Sequence, residues 1–275
     1  MTRNKYIILI IIAVFLFLIG FFITGGIVSS ILQIEKLNIT AKENGVEITV
    51  VHISDLHYPK NGVELDQVLK ESRELNPDLI FLTGDIIDSI TVESEIQELD
   101  GFLNELSQIA KTYAVHGNHE SINENLFYYN TLLSSNNIVL INNSFEQVKI
   151  KGKHIGIVGL SDSGKFINEN ILGLNTVSAN MPLFLLAHRP EYWHDYLSHE
   201  RLSPLLTFSG HAHGGQFRLF GKGIYSPNQG FFPKYYDGLY EHEGKYMIVS
   251  RGLGNSIMNF RLYNKFHIPF IKIKI

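Results

Sequence analysis

The chain has 275 residues, 45% hydrophobic and 18% charged, with 23 Lys and Arg against 27 Asp and Glu, and no cysteine. That length can bury a substantial core, and the net charge of −4 excludes a basic nucleic-acid binder, so no nucleic-acid partner is expected. Without cysteine there can be no disulfide framework, thiolate metal site or cysteine nucleophile.

From Tyr6 to Ile34 no residue is charged, and positions 7–23 are apolar throughout except for Gly20. At roughly 1.5 Å per residue this run gives about 26 Å of helix, and extension to Val28 clears the hydrocarbon thickness of a bilayer. Arg3 and Lys5 precede it and no acid occurs before Glu35. The positive-inside bias therefore places the N-terminus in the cytoplasm and everything after Ser30 outside. A cleaved signal peptide would have to use residues 24–26 or 28–30 as its small-residue site. A helix buried in a soluble core is a poor fit, because isoleucine and phenylalanine cover every face. The uncleaved signal anchor fits best. It gives residues 1–32 as the anchor of a single-pass cell-membrane protein and residues 33–275 as one extracytoplasmic domain.

That domain carries no repeat, low-complexity run or linker. Segments 33–39 and 46–53 predict strands, joined as a hairpin across Asn44-Gly45. Five apolar runs then end in polar clusters. Residues 48–53 lead into Ser54-Asp55-Leu56-His57, and 79–82 into Thr83-Gly84-Asp85 with Asp88 beyond. Residues 113–115 lead into His116-Gly117-Asn118-His119-Glu120, and 183–187 into His188-Arg189-Pro190. Residues 205–208 lead into Ser209-Gly210-His211-Ala212-His213-Gly214-Gly215-Gln216. Helical spacing over 65–75 and 92–110 separates the first three. Strands alternating with helices predict a largely parallel sheet, with its site beyond the carboxyl ends of the strands.

Each cluster alone reads as an ordinary turn; five in chain order, each at a strand end, point to a metal centre. Asp and His donors without Cys suit manganese, iron or zinc. Asp85 offers two oxygens for a bridge between two cations, and Asn118 adds a neutral carbonyl donor. Glycines before Asp85, Asn118 and His211 allow close backbone approach and loop conformations barred to other residues.

These blocks, Asp-x-His, Gly-Asp, Gly-Asn-His, His and Gly-His-x-His, resemble those of the calcineurin-like metallophosphoesterases over roughly residue 34 to the C-terminus. Together with Ser250-Arg251-Gly252-Leu253-Gly254, they look like the membrane-associated bacterial branch, which includes phosphodiesterases similar to UDP-2,3-diacylglucosamine pyrophosphatases. The resemblance implies an α/β fold, a four-layer α/β/β/α sandwich of two mixed sheets. It implies two divalent ions (Mn, Fe or Zn), the first held by Asp55, His57 and His213, the second by Asn118, His188 and His211, with Asp85 bridging. It also implies His119 as a catalytic residue that hydrogen-bonds the scissile phosphate or protonates the leaving oxygen. Asp88 and Glu120 would orient ligands. The implied reaction is hydrolysis of phosphodiester or pyrophosphate bonds by a hydroxide shared between the ions, on lipid-linked or nucleotide-sugar substrates. A nucleotide or cyclic-nucleotide phosphodiesterase merely located at the membrane is the alternative. A non-catalytic scaffold would have lost ligand positions, and none is lost here. One departure stands out: where the branch often carries a Pro-Glu pair, this chain reads Lys265-Phe266-His267-Ile268-Pro269.

Arg251, and less so Arg189, is a candidate for gripping substrate phosphate, since guanidinium makes bidentate contacts to oxyanions. His52 and His116 are expected to be packed in the core or to orient ligands, and His154, His194, His199, His242 and His267 to lie at the surface or in packing contacts. Trp193 is expected in the core. The aromatic stretch 231–236 could contact lipid or a substrate tail, with a packed loop as the preferred alternative. No protein partner is predicted.

Overall fold

The computed structural model describes residues 3–162, 181–199, 202–255 and 260–275. It opens with helix α1 (Arg3–Ser29), followed by β1 (Leu32–Thr40) and β2 (Glu47–Ile53). Next come α2 (Leu65–Leu75), β3 (Leu79–Thr83), α3 (Glu93–Glu98), α4 (Asp100–Ile109), β4 (Lys111–Val115), α5 (Asn118–Ile122), α6 (Leu126–Ser135) and β5 (Val139–Leu140). The second half holds β6 (Ser144–Ile150), β7 (Lys153–Leu160), β8 (Leu183–Ala187), α7 (Trp193–Ser198) and β9 (Leu206–Ser209). Two small hairpins follow, β10 (Arg218–Leu219) with β11 (Lys222–Gly223), and β12 (Tyr225–Ser226) with β13 (Gly230–Phe231). The chain closes with β14 (Gly238–His242), β15 (Lys245–Val249) and β16 (Phe266–Lys274).

Two mixed six-stranded sheets result, ordered β1-β16-β2-β3-β4-β5 and β14-β15-β9-β8-β7-β6. Strands β2, β3 and β4 run parallel, as do β7, β8, β9 and β15. Their sequences explain this: β3 (LIFLT) and β8 (LFLLA) are buried at every position, the pattern of a strand covered on both faces. Phe81, Phe184 and Phe208 fill the space between the sheets with Ile48, Tyr113 and Ile155, and the Phe81 and Phe208 rings meet edge to face at 4.8 Å. On the outer face of the first sheet, Val68, Leu69, Phe102, Leu103, Leu106 and Leu133 press α2, α4 and α6 onto it. Trp193 and Tyr196 of α7 cover the second sheet together with Tyr235. This is the expected four-layer sandwich, with Trp193 in its core. The long helix expected over 92–110 is broken at Leu99 into α3 and α4.

The expected hairpin across Asn44-Gly45 does not form. Strand β16 inserts between its two arms, parallel to β1 and antiparallel to β2. Gly45 serves the chain end instead: the amide of Val46 donates to the Ile275 carbonyl at 2.9 Å, and a Cβ on Gly45 would lie 2.4 Å from that oxygen. The register has a consequence for the site. Leu32 pairs with Phe266, while Phe270 pairs with Val51 and Lys274 with Glu47. So β1 starts, and α1 enters, at the edge of the sheet where β2 ends.

Among the described residues, one helix is long and apolar enough to cross a membrane, Tyr6–Ser29, with mean hydropathy 3.3 and none of its apolar window buried. That exposure excludes a helix buried in a soluble core.

Candidate metal centre

All seven expected ligands lie just past the carboxyl ends of parallel strands. Asp55 and His57 follow β2, Asp85 follows β3, Asn118 opens α5 after β4, His188 follows β8, and His211 and His213 follow β9. Because the sheets face each other, the two sets of loops converge. The amide of Asp55 donates to the Gly84 carbonyl (3.0 Å) and that of His57 to the Asp85 carbonyl (2.9 Å). Across the sandwich, the His211 amide donates to Asp55 Oδ1 at 2.9 Å.

Among the described residues two fully buried clusters form, Asp55–His57–His213 and Asp85–His188–His211, with the donor atoms in each within 4.8 Å of one another, and His57, Asp88 and His119 make a third, partly exposed one. Asp85 Oδ2 lies 3.2 Å from His188 Nε2 and 3.7 Å from His57 Nε2, between the clusters. Asn118 Oδ1 is 3.2 Å from His188 Nε2. His57 Nε2 and His213 Nε2 face each other at 3.2 Å, as do His211 Nδ1 and His188 Nε2. Imidazole nitrogens and carboxylate oxygens aimed at a common point in a buried site fit a cation there, and the chain has no thiol to compete.

The backbone is shaped for this convergence. Asp55, His57, Asp85, His211 and His213 all have positive φ, between 46° and 65°. Non-glycine residues held in this sparsely populated region cluster at functional sites. Of the glycines, Gly84 has φ +89°, whereas Gly117 and Gly210 serve close approach. A Cβ on Gly117 would sit 2.3 Å from Asp85 Oδ1, and one on Gly210 would sit 2.2 Å from Asp55 Oδ2. Those two are needed for the ligand carboxylates rather than for turn geometry.

Surrounding groups orient the donors. His188 Nδ1 is 2.8 Å from the Thr83 carbonyl, which accepts its proton and leaves Nε2 facing Asp85. Burial opposes charge on this ring, but the Asp85 and Asp55 carboxylates hold its pKa up at about 10. The buried Glu120 carboxylate accepts four backbone N–H groups, from Asp85, Ile86, Ile87 and Gly117. Burial and the neighbouring Asp85 charge push its pKa up to about 7. Asp88 Oδ2 lies 3.6 Å from His57 Nδ1, and Asp88 Oδ1 lies 3.6 Å from His119 Nδ1.

A cleft of about 140 Å³ opens onto the centre, lined by Asp85, Asn118, His119, Arg189, His211, His213, Pro227 and Asn228. His119 is half-buried, with Nε2 4.0 Å from Asp85 Oδ2, and its Nδ1 accepts the Ser89 amide at 3.1 Å. That acceptor role leaves the ring proton on Nε2, toward the cleft. Arg189 lines the cleft, with its fork paired to Asp162 and Nη1 3.3 Å from His211 Nε2. Arg251 is placed elsewhere. It is buried beneath Gly214, pairs with Asp237 and Gln33, and donates to the Lys265 carbonyl. Its guanidinium is engaged on three sides and is not among the groups that line the cleft. His52 bonds Thr83 Oγ1 at 2.7 Å, and His116 bonds Asn130 and Asn142. Both are packed, as expected.

Nothing in the local spacing marks Arg261 or Asn264, which also support the centre. Arg261 Nη2 lies 3.4 Å from His213 Nδ1, and Asn264 Nδ2 donates to the His213 carbonyl at 2.7 Å. Burial lowers the Arg261 pKa to about 9.

This geometry agrees with the comparisons to known proteins. The chain belongs to the calcineurin-like phosphoesterase family, whose profile matches residues 48–215. It is 26% identical over 241 residues to an uncharacterized metallophosphoesterase, YkoQ, of Bacillus subtilis (strain 168), covering 82% of this chain and 84% of that one. A second Bacillus subtilis metallophosphoesterase, YkuE, is 28% identical over 232 residues, covering 83% and 78% of the two chains. A transmembrane protein with a metallophosphoesterase domain from Danio rerio is 27% identical over 188 residues, covering 63% of this chain and 41% of that protein. The protein is thus a hydrolase of phosphoric ester bonds, and its apolar helix points to membrane association.

Proposed function

We propose that the protein hydrolyses phosphodiester or pyrophosphate bonds at a dinuclear metal centre. In this reading Asp55, His57 and His213 hold one ion, Asn118, His188 and His211 hold the other, and Asp85 is shared. The observation that carries it is the position of Asp85 Oδ2 between His188 Nε2 and His57 Nε2, at 3.2 and 3.7 Å. Two divalent ions held there would supply Lewis-acid charge for the phosphoryl oxygens and acidify an attacking water. The remaining work falls to the chain. His119 Nε2–H points into the cleft as a hydrogen-bond donor to the phosphoryl or leaving oxygen, its tautomer set by the Ser89 amide. Arg189, braced by Asp162, presents positive charge on the same wall. Glu120 fixes the loop that carries Asp85.

Residues 1–32 are read as an uncleaved anchor and 33–275 as one extracytoplasmic domain, on the charge bias at the N-terminus and the exposed apolar helix. A site at the sheet edge where that helix enters favours lipid-linked phosphoesters over soluble nucleotides. The test is a substrate panel on the full-length protein, with detergent-dispersed lipid pyrophosphates, nucleotide sugars and cyclic nucleotides across Mn²⁺, Zn²⁺, Mg²⁺ and Fe²⁺. Preference for the lipid pyrophosphates supports this reading. Preference for soluble or cyclic nucleotides would assign the anchor to location alone.

A further inference from the structure

The last turns of α1 are docked on the catalytic domain. The amide of Tyr263 donates to the Gly25 carbonyl at 3.1 Å, the hydroxyls of Thr24 and Tyr263 are 2.7 Å apart, and the Asn264 amide donates to Ser29 Oγ at 2.9 Å. The rings of Phe21 and Tyr263 lie 4.9 Å apart, and a Cβ on Gly25 would sit 2.3 Å from Leu262 Cδ1. The 24 residues of Tyr6–Ser29 extend about 36 Å against roughly 30 Å of hydrocarbon, so a spanning α1 would carry this contact at headgroup level.

The same segment holds two aromatic hairpins beside the helix. The Arg218 amide donates to the Leu262 carbonyl at 2.9 Å, and Phe217 forms a bridge with Leu262. Phe220, at the turn after β10, is 96% exposed. Phe231 and Phe232, on and just after β13, are 73% and 75% exposed. Tyr235, three residues on, is packed in the core, so the aromatic stretch divides between an exposed part and a packed part. No acidic residue occurs from Leu202 to Tyr236, and Lys222 and Lys234 stand exposed among the aromatics. The turn between β12 and β13 supplies Pro227 and Asn228 to the wall of the metal cleft.

We propose that Phe220, Phe231 and Phe232 form a membrane-contacting rim, seated at the hydrocarbon–headgroup boundary of the bilayer that α1 crosses. The proposal rests on α1 being an anchor. Exposed apolar side chains such as phenylalanine gain by burial at that boundary, and the flanking lysines suit anionic headgroups. Contiguity with α1 through Leu262 and Tyr263 makes the bilayer the occupant of this surface. The hairpin that contacts lipid also forms part of the cleft, so the rim holds the mouth of the metal centre against the membrane surface.

The natural chain has no cysteine, so single-cysteine variants of the full-length protein report one position each. The variants are Phe220→Cys, Phe232→Cys, Phe15→Cys within the helix, and Lys149→Cys, exposed on the edge strand β6. Each is labelled with nitrobenzoxadiazole and reconstituted in phosphatidylcholine–phosphatidylglycerol vesicles containing nitroxide-labelled lipid. The expected result is loss of fluorescence at positions 15, 220 and 232 and none at 149. Quenching at 15 without quenching at 220 and 232 overturns the rim while leaving the anchor standing. No quenching at 15 overturns the anchor and the rim with it. Shielding at 220 and 232 that follows protein density instead of nitroxide lipid would make the surface a contact between copies and overturn the proposal.

Discussion

At His119, a single hydrogen bond decides which role the ring can play. Because Nδ1 accepts the Ser89 amide, the ring enters the cleft as a neutral Nε2–H donor. The proposed assignment places it in neither donor triad, although it lies beside His57 and Asp88, so His119→Ala is expected to lower kcat by roughly 10²–10⁴ while bound metal is retained. Metal analysis showing an ion lost in that variant would move His119 from the reaction to the ligand set. Glu120 has the opposite character, since its carboxylate touches no substrate but takes four amides of the two ligand-bearing loops. Glu120→Ala leaves those donors buried and unpaired, at about 1–3 kcal/mol each where water cannot enter. Its urea midpoint should fall well below that of Glu120→Gln, which keeps an acceptor. Equal midpoints for the two would show that water replaces the carboxylate at no cost. The candidate ligands were legible in the sequence because each sits at a strand end with a glycine or a second polar residue beside it. Arg251 was not, because its partner Asp237 lies elsewhere in the chain and only folding brings them together.

Among the elements, the central strands combine a legible apolar core with one polar passenger. His52 of β2 is fully buried, and burial together with the nearby His267 lowers its pKa to about 3. The unfolded ring, at its ordinary value near 6.5, takes up a proton that the folded ring refuses. The contribution of this one site is therefore complete above pH 6.5 and lost as the pH falls toward 3, at about 1.4 kcal/mol per pH unit for the one proton. Between pH 7 and 5 the urea midpoint of the wild type should fall more steeply than that of His52→Gln. Parallel slopes would mean that His52 is protonated in the fold. Burial at every position made β3 and β8 readable from composition alone. The hairpin across Asn44-Gly45 misled for a physical reason: turn chemistry is local, but β16 arrives from the chain end to separate β1 from β2. The break at Leu99 was equally hidden, since apolar spacing continues through it.

For the molecule as a whole, two parallel strand bundles stacked face to face aim their loops at one point, and α1 enters at that same edge. The sandwich and the ligand loops were readable from the alternation of strands, helices and polar clusters. Lipid contact was among the readings of the stretch 231–236, but the exposure of Phe220 and the division of that stretch between exposed Phe232 and packed Tyr235 depend on hairpins whose orientation no local pattern specifies. What unites these features is a carboxylate, Asp85, placed between two triads of donors. The most direct measurement is the metal content of the full-length protein, loaded with Mn²⁺ in lipid nanodiscs, beside Asp85→Asn. Two ions per chain in the wild type, with both weakened in the variant, is the expected result. One ion per chain in the wild type, or a variant that loses one ion and keeps the other at full affinity, would contradict a shared ligand.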